Sequence, residues 1–468
     1  MAAHPVLVLQ LHRLGDLLLT FPLLRWLRKK WSSHPVWVVA EPHFFSGLMP
    51  FAPDVVFFPP SHCHVLAQGQ YAAAINLSSS PQAADCMAQL RAEQKWGPIA
   101  AGENRHIRGY WHLYRAALTH NNRNNPFHWA DLHLLDMLPP EDIAAMQRVL
   151  PRPAGTRRVG LVLGASEKAK HPDAQFWIRL ARHLQKAGVK PLFLGGEAER
   201  ELGEEVGRKS GLNAANFCGK LSLREVGSLM RTLDLCITPD TGPMHLADHL
   251  GTPVLNLSMG PVHARETGPS APGQWVLRAG MSCVGCWQCA REHLFCKRAF
   301  RPAAVARAVL ALLDNPAGNA LPAAHIAGLR LLRTERDSMG LHALVPRLPE
   351  ESPTCRAALE DLWQAVFLFL HKAAYLPLLH SRVQRLHREF PLLSRKLVTG
   401  LHSLCASCAG HIRRGSPLPA DFWRTQPPLL RLFSGHMHMT LQNTGYSPQG
   451  WQDALRSLGA LAAVFPKA

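Results

Sequence analysis

Residues 239–245, Pro-Asp-Thr-Gly-Pro-Met-His, form the most informative motif of the sequence. They follow an apolar run at residues 233–238, which predicts a buried strand, and they lead into a predicted helix at residues 243–250. A strand that turns into a helix through a glycine-containing corner directs backbone N–H groups and the positive end of the helix dipole at one point. The stretch therefore predicts a phosphate site at the end of a parallel strand.

The side chains of this corner have two interpretations. Asp240, Thr241 and His245 would surround a bound phosphate group and orient it. Alternatively, Asp240 and Thr241 only cap the helix, with Pro243 as a favoured residue of its first turn. The rest of the sequence favours the phosphate site.

Strand-like and helix-like patterns alternate on both sides of the corner. Strands are predicted at residues 6–11, 35–39, 72–76, 159–163, 191–195, 233–238 and 253–257. Helices are predicted at residues 16–30, 81–94, 108–118, 174–187, 197–210, 222–231 and 243–250. Such alternation favours an α/β fold with two Rossmann-like doubly wound sheets, whose ligands bind at the carboxyl ends of the strands.

Three domains are expected from these patterns. Residues 1–150 form the first Rossmann-like domain, and residues 158–315 form the second, after a Pro- and Gly-containing linker at 151–158. Residues 320–468 are predicted to be a helical extension, with helices at 355–370, 379–389 and 452–464.

Charge and hydropathy limit the partners. The 468 residues carry a net charge of +18, which indicates an anionic partner such as nucleic acid, a membrane surface or a phosphorylated substrate. Zinc-finger and RNA-recognition signatures are missing from the sequence, so nucleic acid is disfavoured. The first residues contain no cationic segment followed by a long apolar run, and no later stretch has the apolar length of a membrane span. A cytoplasmic protein is expected.

Four cysteines lie close together in the sequence. Cys283, Cys286, Cys289 and Cys296 have the spacing C-x2-C-x2-C-x6-C, which could bring four thiols onto one tetrahedral zinc or iron ion. A metal held by four cysteines has no open position, so it would be structural and not catalytic. A loose thiol cluster or a redox-labile disulfide is the alternative.

Four motifs together resemble one family. Arg-Leu-Gly-Asp-Leu-Leu-Leu-Thr at 13–20, Gly-Ala-Ser at 164–166, Gly-Gly-Glu-Ala-Glu at 195–199 and Asp-Thr-Gly-Pro-Met-His at 240–245 occur in the order found in the ADP-heptose:lipopolysaccharide heptosyltransferases, glycosyltransferase family 9. The resemblance covers roughly residues 5–315, and an ordered set is far more specific than one motif. It implies the glycosyltransferase type B arrangement of two Rossmann-like domains, and many members carry a related cysteine cluster.

The resemblance assigns roles to individual residues. Asp16, which follows the first strand, is the expected general base of an inverting displacement, although it could merely cap the helix. The expected donor-binding residues are Ser166, Lys170, Glu199, Asp240, Thr241, Gly242 and His245. Residues 168–172, Lys-Ala-Lys-His-Pro, depart from the family's Lys-aromatic-Pro block, so either Lys168 or Lys170 could meet the phosphates, and we favour Lys170.

The implied reaction moves heptose from an ADP-activated donor to a lipopolysaccharide core sugar without a catalytic cofactor. The acceptor would be an anionic glycolipid at the cytoplasmic face of the inner membrane, bound by Arg105 and Arg108. The protein surface would contact this membrane peripherally. Two alternatives stay open. The sugar could go to a protein or another surface glycan, or the chain could be an inactive nucleotide-sugar-binding protein that acts through its helical extension.

Overall fold

A computed structural model describes residues 3–102, 104–119, 121–146, 155–283, 286, 289, 291, 293–315, 326–347 and 354–465. Its strands are β1 (Val6–Leu9), β2 (Val36–Val39), β3 (Val56–Phe58), β4 (Gln70–Asn76), β5 (Arg91–Ala101), β6 (Asn104–Arg108), β7 (Arg158–Val162), β8 (Lys190–Leu194), β9 (Leu235–Thr238), β10 (Val254–Ser258), β11 (Trp275–Ala279), β12 (Leu329–Arg336) and β13 (His342–Pro346).

Its first fourteen helices are α1 (Leu14–Lys30), α2 (Pro42–Leu48), α3 (Cys63–Leu66), α4 (Pro81–Gln89), α5 (Tyr110–Ala117), α6 (Trp129–Leu132), α7 (Pro140–Ala144), α8 (Ala174–Lys186), α9 (Arg200–Ser210), α10 (Leu223–Met230), α11 (Gly242–His249), α12 (Ala264–Thr267), α13 (Phe295–Arg298) and α14 (Pro302–Asp314). They are followed by α15 (Cys355–His371), α16 (Leu376–Glu389), α17 (Pro391–Arg413), α18 (Phe422–Thr425), α19 (Arg431–Asn443) and α20 (Pro448–Val464). Among these described helices, none combines the length and the apolar character needed to cross a membrane.

The chain divides into two compact units. The first comprises Met1–Ala73, Arg91–Glu93 and His128–Glu351, and the second comprises Ala74–Leu90, Gln94–Phe127 and Ser352–Ala468. The first half of the linker predicted at 151–158, residues 151–154, lies outside the described residues. The three-domain division from the sequence therefore stays a prediction.

The first unit contains strands of two mainly parallel sheets. Its N-terminal strands have the order β3-β2-β1-β4, and its second sheet has the order β13-β12-β11-β10-β9-β7-β8. The short strands β1 and β9 are buried along their whole length, as expected of central strands with both faces covered. Pairing is parallel from β11 to β8, which confirms the predicted doubly wound arrangement for this sheet.

An antiparallel hairpin extends the second sheet. β12 pairs with β11, and β13 pairs with β12, both antiparallel. These strands lie in the segment that the sequence assigned to a helical extension, so the prediction missed them. The turn between them needs Gly340, which has a φ of +85°.

Helix α8 shows how the core positions the site. Asp173 caps it by accepting a hydrogen bond of 2.8 Å from the Phe176 backbone N–H, and the helix buries one apolar face. The buried Trp177 donates from its indole N–H to the Leu163 carbonyl at 3.0 Å. This bond fixes the helix to the chain just after β7, where the predicted Gly-Ala-Ser motif begins.

The second unit contains the end of β4, most of β5, all of β6 and eight described helices, which are α4, α5 and α15 to α20. The three helices predicted in the extension are confirmed, with longer bounds. The helix predicted at 81–94 is wrong at its end, because α4 stops at Gln89 and β5 begins at Arg91. Gly97 in β5 has a φ of +94°, and a Cβ there would lie 2.0 Å from the Asn76 carbonyl oxygen, so only glycine fits this close strand approach.

Candidate functional site

The corner after β9 is not closed by its own side chains. Thr241 takes the N-cap position of α11 with an extended backbone, but its side chain makes no capping hydrogen bond. The Asp240 carboxylate instead accepts a hydrogen bond of 2.8 Å from the Thr267 hydroxyl. The capping interpretation therefore fails for both residues, and the first turn of α11 keeps the character of an anion site.

The start of α1 packs against the start of α11. A Cβ on Gly242 would lie 2.8 Å from Leu14 Cδ2, and a Cβ on Gly15 would lie 2.8 Å from His245 Cδ2. Both glycines thus permit a close approach that a larger residue would prevent. Asp16, the residue after Gly15, is brought next to the corner by this contact.

Asp16 has a capping role in addition to its place in the site. As the third residue of α1, it accepts a hydrogen bond of 3.2 Å at Oδ2 from the Arg13 backbone N–H. Its side chain is only half-buried, which leaves the carboxylate accessible to a bound substrate. Asp16 thus caps α1 and keeps an accessible carboxylate.

Asp16 and Asp240 lie close enough for their charges to interact. The pKa of Asp240 is raised to about 6, mainly by loss of hydration and to a smaller extent by the nearby charge of Asp16. The Thr267 hydroxyl and the Lys170 ammonium group act in the opposite direction on the same pKa. Asp240 is therefore a carboxylate whose charge is costly at neutral pH.

His245 is a neutral imidazole in this environment. Burial, with a smaller contribution from His128, lowers its pKa to about 3. In the part of the chain that the structure describes, its buried Nδ1 has no hydrogen-bond partner. A neutral ring can stabilise an anionic group by hydrogen bonding without adding a second titrating charge.

Lys170 is the cation at the corner. It lies in a short 3-10 turn at Lys168–Lys170, its side chain is 15% exposed, and its Nζ is 2.7 Å from Glu167 Oε1. The turn is held by Gly260, which has a φ of +75° and where a Cβ would lie 2.2 Å from the Ala169 carbonyl oxygen. Lys168 is exposed, and its carbonyl accepts from Lys297 Nζ at 2.8 Å. This geometry favours Lys170 for the phosphate role.

Glu199 lies at the carboxyl ends of two neighbouring strands. Its Oε2 accepts a hydrogen bond of 2.8 Å from the Gly196 backbone N–H. A Cβ on Gly164, after β7, would lie 2.3 Å from Glu199 Oε1, and one on Gly195, after β8, would lie 2.6 Å from Glu199 Cβ. The two glycines thus form a cradle for this side chain. Ser166, two residues beyond Gly164, is exposed.

The predicted acceptor residues lie in the second unit. Arg105 and Arg108 are on β6 with exposed side chains. Arg105 Nη1 donates to the Ser79 carbonyl at 2.9 Å. The charge of Arg108 contributes to lowering the pKa of Lys95, after the larger effect of burial.

The four clustered cysteines, Cys283, Cys286, Cys289 and Cys296, lie near one another. Negative charge on Cys283, Cys289 and Cys296 contributes to raising the pKa of Cys286, after the larger effect of burial, so the four thiols are near one another. Even so, among the described residues no group of three or more His, Cys, Asp or Glu side chains is arranged to hold a metal ion. The thiols present are suitable ligands, and the structural ion at this cluster stays a prediction of the sequence.

Thr267 is a residue of the corner that the sequence did not reveal. It ends α12, which follows β10, and it donates directly to Asp240 across 27 positions of the chain. Its own neighbours, Arg-Glu-Thr-Gly-Pro, have no pattern that marks a functional threonine. Only the folded chain places it in the site.

Comparisons with known proteins find similar sequences in one family. Residues 132–293 match the model of glycosyltransferase family 9 (heptosyltransferase), a segment that contains the donor-side residues and not Asp16. Lipooligosaccharide heptosyltransferase 2 of Campylobacter jejuni serotype O:2 is 27% identical over 168 residues, which are 34% of this chain and 52% of that protein. Lipopolysaccharide core heptosyltransferase OpsX of Haemophilus influenzae is 30% identical over 83 residues, 17% of this chain and 24% of that protein.

The fold has a solved counterpart. The structure of Escherichia coli ADP-heptose lps heptosyltransferase II covers 67% of this chain and 99% of its own, with a TM-score of 0.50 and 20% sequence identity. This likeness supports the type B arrangement of two Rossmann-like domains, to which this chain adds a helical C-terminal region. The chain spans about half the length of the first curated relative it matches. Over residues 132–293, the chain is therefore similar to glycosyltransferase family 9, the heptosyltransferase family, and its fold is like that of the solved heptosyltransferase.

Proposed function

We propose that this protein is an inverting glycosyltransferase that moves heptose from ADP-heptose to a sugar of the lipopolysaccharide core. The observation that carries the proposal is the contact between Gly15 and His245, which brings the carboxylate of Asp16 to the corner that favours a phosphate group. A base next to a diphosphate site is what glycosyl transfer from a nucleotide sugar requires.

The proposed reaction is a single displacement. The acceptor hydroxyl oxygen attacks the anomeric carbon of the heptose while Asp16 accepts the hydroxyl proton, and the bond from the anomeric carbon to the diphosphate oxygen breaks. ADP leaves with the bonding electrons. Attack from the face opposite the leaving group inverts the anomeric configuration. The Lys170 ammonium group, the first-turn N–H groups of α11 and neutral His245 would stabilise the leaving diphosphate, so no catalytic metal is required by this proposal.

A transfer assay tests the proposal. Purified full-length protein would be incubated with ADP-heptose and lipopolysaccharide from cells that make a heptose-deficient core, and the glycolipid would be analysed by mass spectrometry. We expect the glycolipid to gain one heptosyl residue. Binding of ADP-heptose without any transfer would favour the inactive nucleotide-sugar-binding protein, and transfer only to a protein or another glycan would favour the other alternative.

The acceptor is proposed to be an anionic glycolipid at the cytoplasmic face of the inner membrane. Arg105 and Arg108 present two exposed guanidinium groups on one strand, and such groups suit the phosphates and carboxylates of an inner core. The net charge of +18 supports peripheral contact with an anionic membrane surface.

Glu199 is proposed to accept hydrogen bonds from the ribose hydroxyls of the donor. Replacing Glu199 with glutamine should weaken ADP binding about tenfold, because an ionised acceptor makes stronger hydrogen bonds than an amide does. Isothermal titration calorimetry with ADP measures the change. Glu197→Gln is the matched control, because Glu197 is two positions away but pairs with Arg200 at 2.5 Å. Equal affinities of wild type and Glu199→Gln would contradict the assignment.

A structural zinc or iron ion at the four cysteines stays a prediction of the sequence. If the thiolates hold an ion, protein purified without chelators should contain about one equivalent, consistent with a four-thiolate site. Cys286→Ser should lose this metal, and Cys408→Ser, which alters a buried thiol in α17, should keep it. Inductively coupled plasma mass spectrometry measures both metals. Wild-type protein without zinc or iron would leave the cluster as free thiols.

A further inference from the structure

The loop that follows α12 holds the hydroxyl that contacts Asp240. Thr267 donates to Asp240 Oδ2 at 2.8 Å, and the chain then runs through residues 268–271, Gly-Pro-Ser-Ala. The position of Thr267, and with it the orientation of the Asp240 carboxylate, depends on where this loop lies. The groups that hold the loop therefore bear on the donor site.

Two buried histidines hold the loop by its carbonyl groups. His128 Nε2 is 3.0 Å from the Gly268 carbonyl oxygen, and His342 Nε2 is 3.1 Å from the Pro269 carbonyl oxygen. His128 Nδ1 accepts from the Ala130 backbone N–H at 3.1 Å, which assigns its proton to Nε2. The two rings are also in contact, with centroids 4.5 Å apart.

Both histidines are suited to act as neutral donors. His128 is fully buried and His342 is 1% exposed, and burial lowers the pKa of each. A neutral imidazole with its proton on Nε2 donates one hydrogen bond to a carbonyl oxygen. The two rings therefore fix two consecutive carbonyl groups of the loop, those of Gly268 and Pro269.

Two further side chains hold the rest of the loop. The Asp248 carboxylate accepts from the backbone N–H groups of Ser270 at 2.7 Å and of Ala271 at 3.2 Å. The Thr334 hydroxyl donates to the Ala271 carbonyl oxygen at 2.6 Å. Every residue from 268 to 271 thus has a backbone group bound to a side chain from elsewhere in the fold.

The β12–β13 hairpin supplies part of this support and is itself anchored. His342 begins β13, and its backbone N–H donates to Asp131 Oδ2 at 2.8 Å. The other Asp131 oxygen accepts from Arg336 Nη1, at the end of β12, at 2.7 Å. Asp131 is 2% exposed, so this ion pair is largely protected from solvent. The hairpin lies beyond residue 293, where the family match ends.

Packing alone does not fix the loop. A pocket of about 220 Å³ lies beside it, and its lining includes Ser270, Ala271, Asp248, Asp131 and Arg336. Space on one side of a loop removes the contacts that would otherwise hold it. The hydrogen bonds from the histidines and from Thr334 therefore carry a larger share of its positioning.

We propose that His342 and His128 are positioning residues of the donor site, which fix the loop at 268–271 so that Thr267 orients Asp240. This inference rests on the proposed function for its effect on donor affinity. The sequence had assigned the residues of the β12–β13 hairpin to a separate extension. This inference gives the hairpin a role in the donor site. Neither histidine is required to touch the donor.

The test uses full-length protein with ADP-heptose as the calorimetric probe. His342→Leu removes the donor to Pro269, and we expect ADP-heptose to bind about three to ten times more weakly, the effect of losing one hydrogen bond. His342→Gln places an amide N–H near the position of Nε2 and should restore affinity to within about twofold of wild type. A His342→Leu protein with wild-type affinity would overturn the proposal.

A double-variant comparison distinguishes positioning from a general loss of stability. Thr267→Val removes the hydroxyl that contacts Asp240. If His342 acts through Thr267, the double variant should bind ADP-heptose no more weakly than Thr267→Val alone. If the losses of ADP-heptose affinity in the two single variants multiply in the double variant, His342 does not act through Thr267, and the proposal is overturned. His438→Leu, which removes another buried histidine hydrogen bond, to Tyr446, should leave donor affinity unchanged.

Hydrogen–deuterium exchange tests the loop without any donor. In His342→Leu, the amides of Ser270 and Ala271 should exchange about three to ten times faster, and His438→Leu should leave them unchanged. If His342→Leu does not fold, Thr334→Val, which is nearly isosteric, removes the neighbouring bond to Ala271 and should give the same acceleration. Unchanged exchange would overturn the proposal. Failure of wild-type protein to bind ADP-heptose would contradict the proposed function, while the exchange result would still decide this inference.

Discussion

Asp16→Asn is expected to reduce the rate of heptosyl transfer by about 100-fold to 10,000-fold, the usual range for loss of a general base. Asparagine has nearly the same shape as aspartate but cannot take the proton from the acceptor hydroxyl. Its side-chain oxygen can still accept the hydrogen bond that Asp16 receives from the Arg13 backbone N–H at 3.2 Å. The loss of rate should therefore come with little change in stability.

Single-turnover rates and donor affinity together check this prediction. ADP-heptose should bind Asp16→Asn within about threefold of wild type, because removing an interaction made only in the transition state leaves ground-state binding intact. Glu225→Gln is the matched control, since Glu225 is the third residue of α10 and accepts from the Ser222 backbone N–H at 2.8 Å in the same way. Asp16→Asn with more than about a tenth of wild-type activity would contradict the assigned role.

The alternation of strands and helices was predictable because each local pattern agrees with its tertiary environment. The buried run at β9 and the helix after it have one reasonable interpretation, and the structure confirms both. The chain from Arg91 to Ala101 was harder, because Ala, Glu, Gln and Lys all favour helix, and pairing with neighbouring strands decided for β5. The predicted helix overran β5 only at residues 91–94, and Gly97, with a φ of +94°, belongs to the strand that follows.

The site was predictable where its residues share a motif. Asp240, Gly242 and His245 lie within six positions, and the helix after β9 brings them together. Thr267 and His342 could not be found in this way, because their contacts join residues 27 and 73 positions apart. Nothing near either residue in the sequence records those partners, so only the fold reveals them.

Asp240→Asn is expected to lower transfer and to increase stability at the same time. The pKa of Asp240 rises from 3.8 to about 6 in the folded protein, so the folded state holds the proton more strongly than the unfolded state does. Between about pH 4 and pH 6 the folded state therefore binds more protons, and stability falls as pH rises through this range. Above pH 6 the charged carboxylate is a constant cost, which asparagine does not have.

The size of the gain follows from the shift. Two pKa units correspond to at most about 3 kcal/mol, and the remaining solvent exposure of the side chain reduces this to about 1–2 kcal/mol at pH 8. The gain should disappear below about pH 4, where both states hold the proton. Chemical denaturation at pH 4 and pH 8 measures it, with Asp54→Asn as a control for an exposed carboxylate paired with Arg28.

The combination of the two effects is what identifies Asp240 as a functional residue. A purely structural carboxylate that accepts from Thr267 would lose stability when replaced, and any loss of activity would follow from unfolding. If the Asp240 carboxylate instead serves donor binding, its loss of hydration destabilises the folded protein, and replacing it should increase the free energy of unfolding. Lower stability of Asp240→Asn than of wild type at pH 8, or a kcat/KM for transfer within about twofold of wild type, would contradict this role.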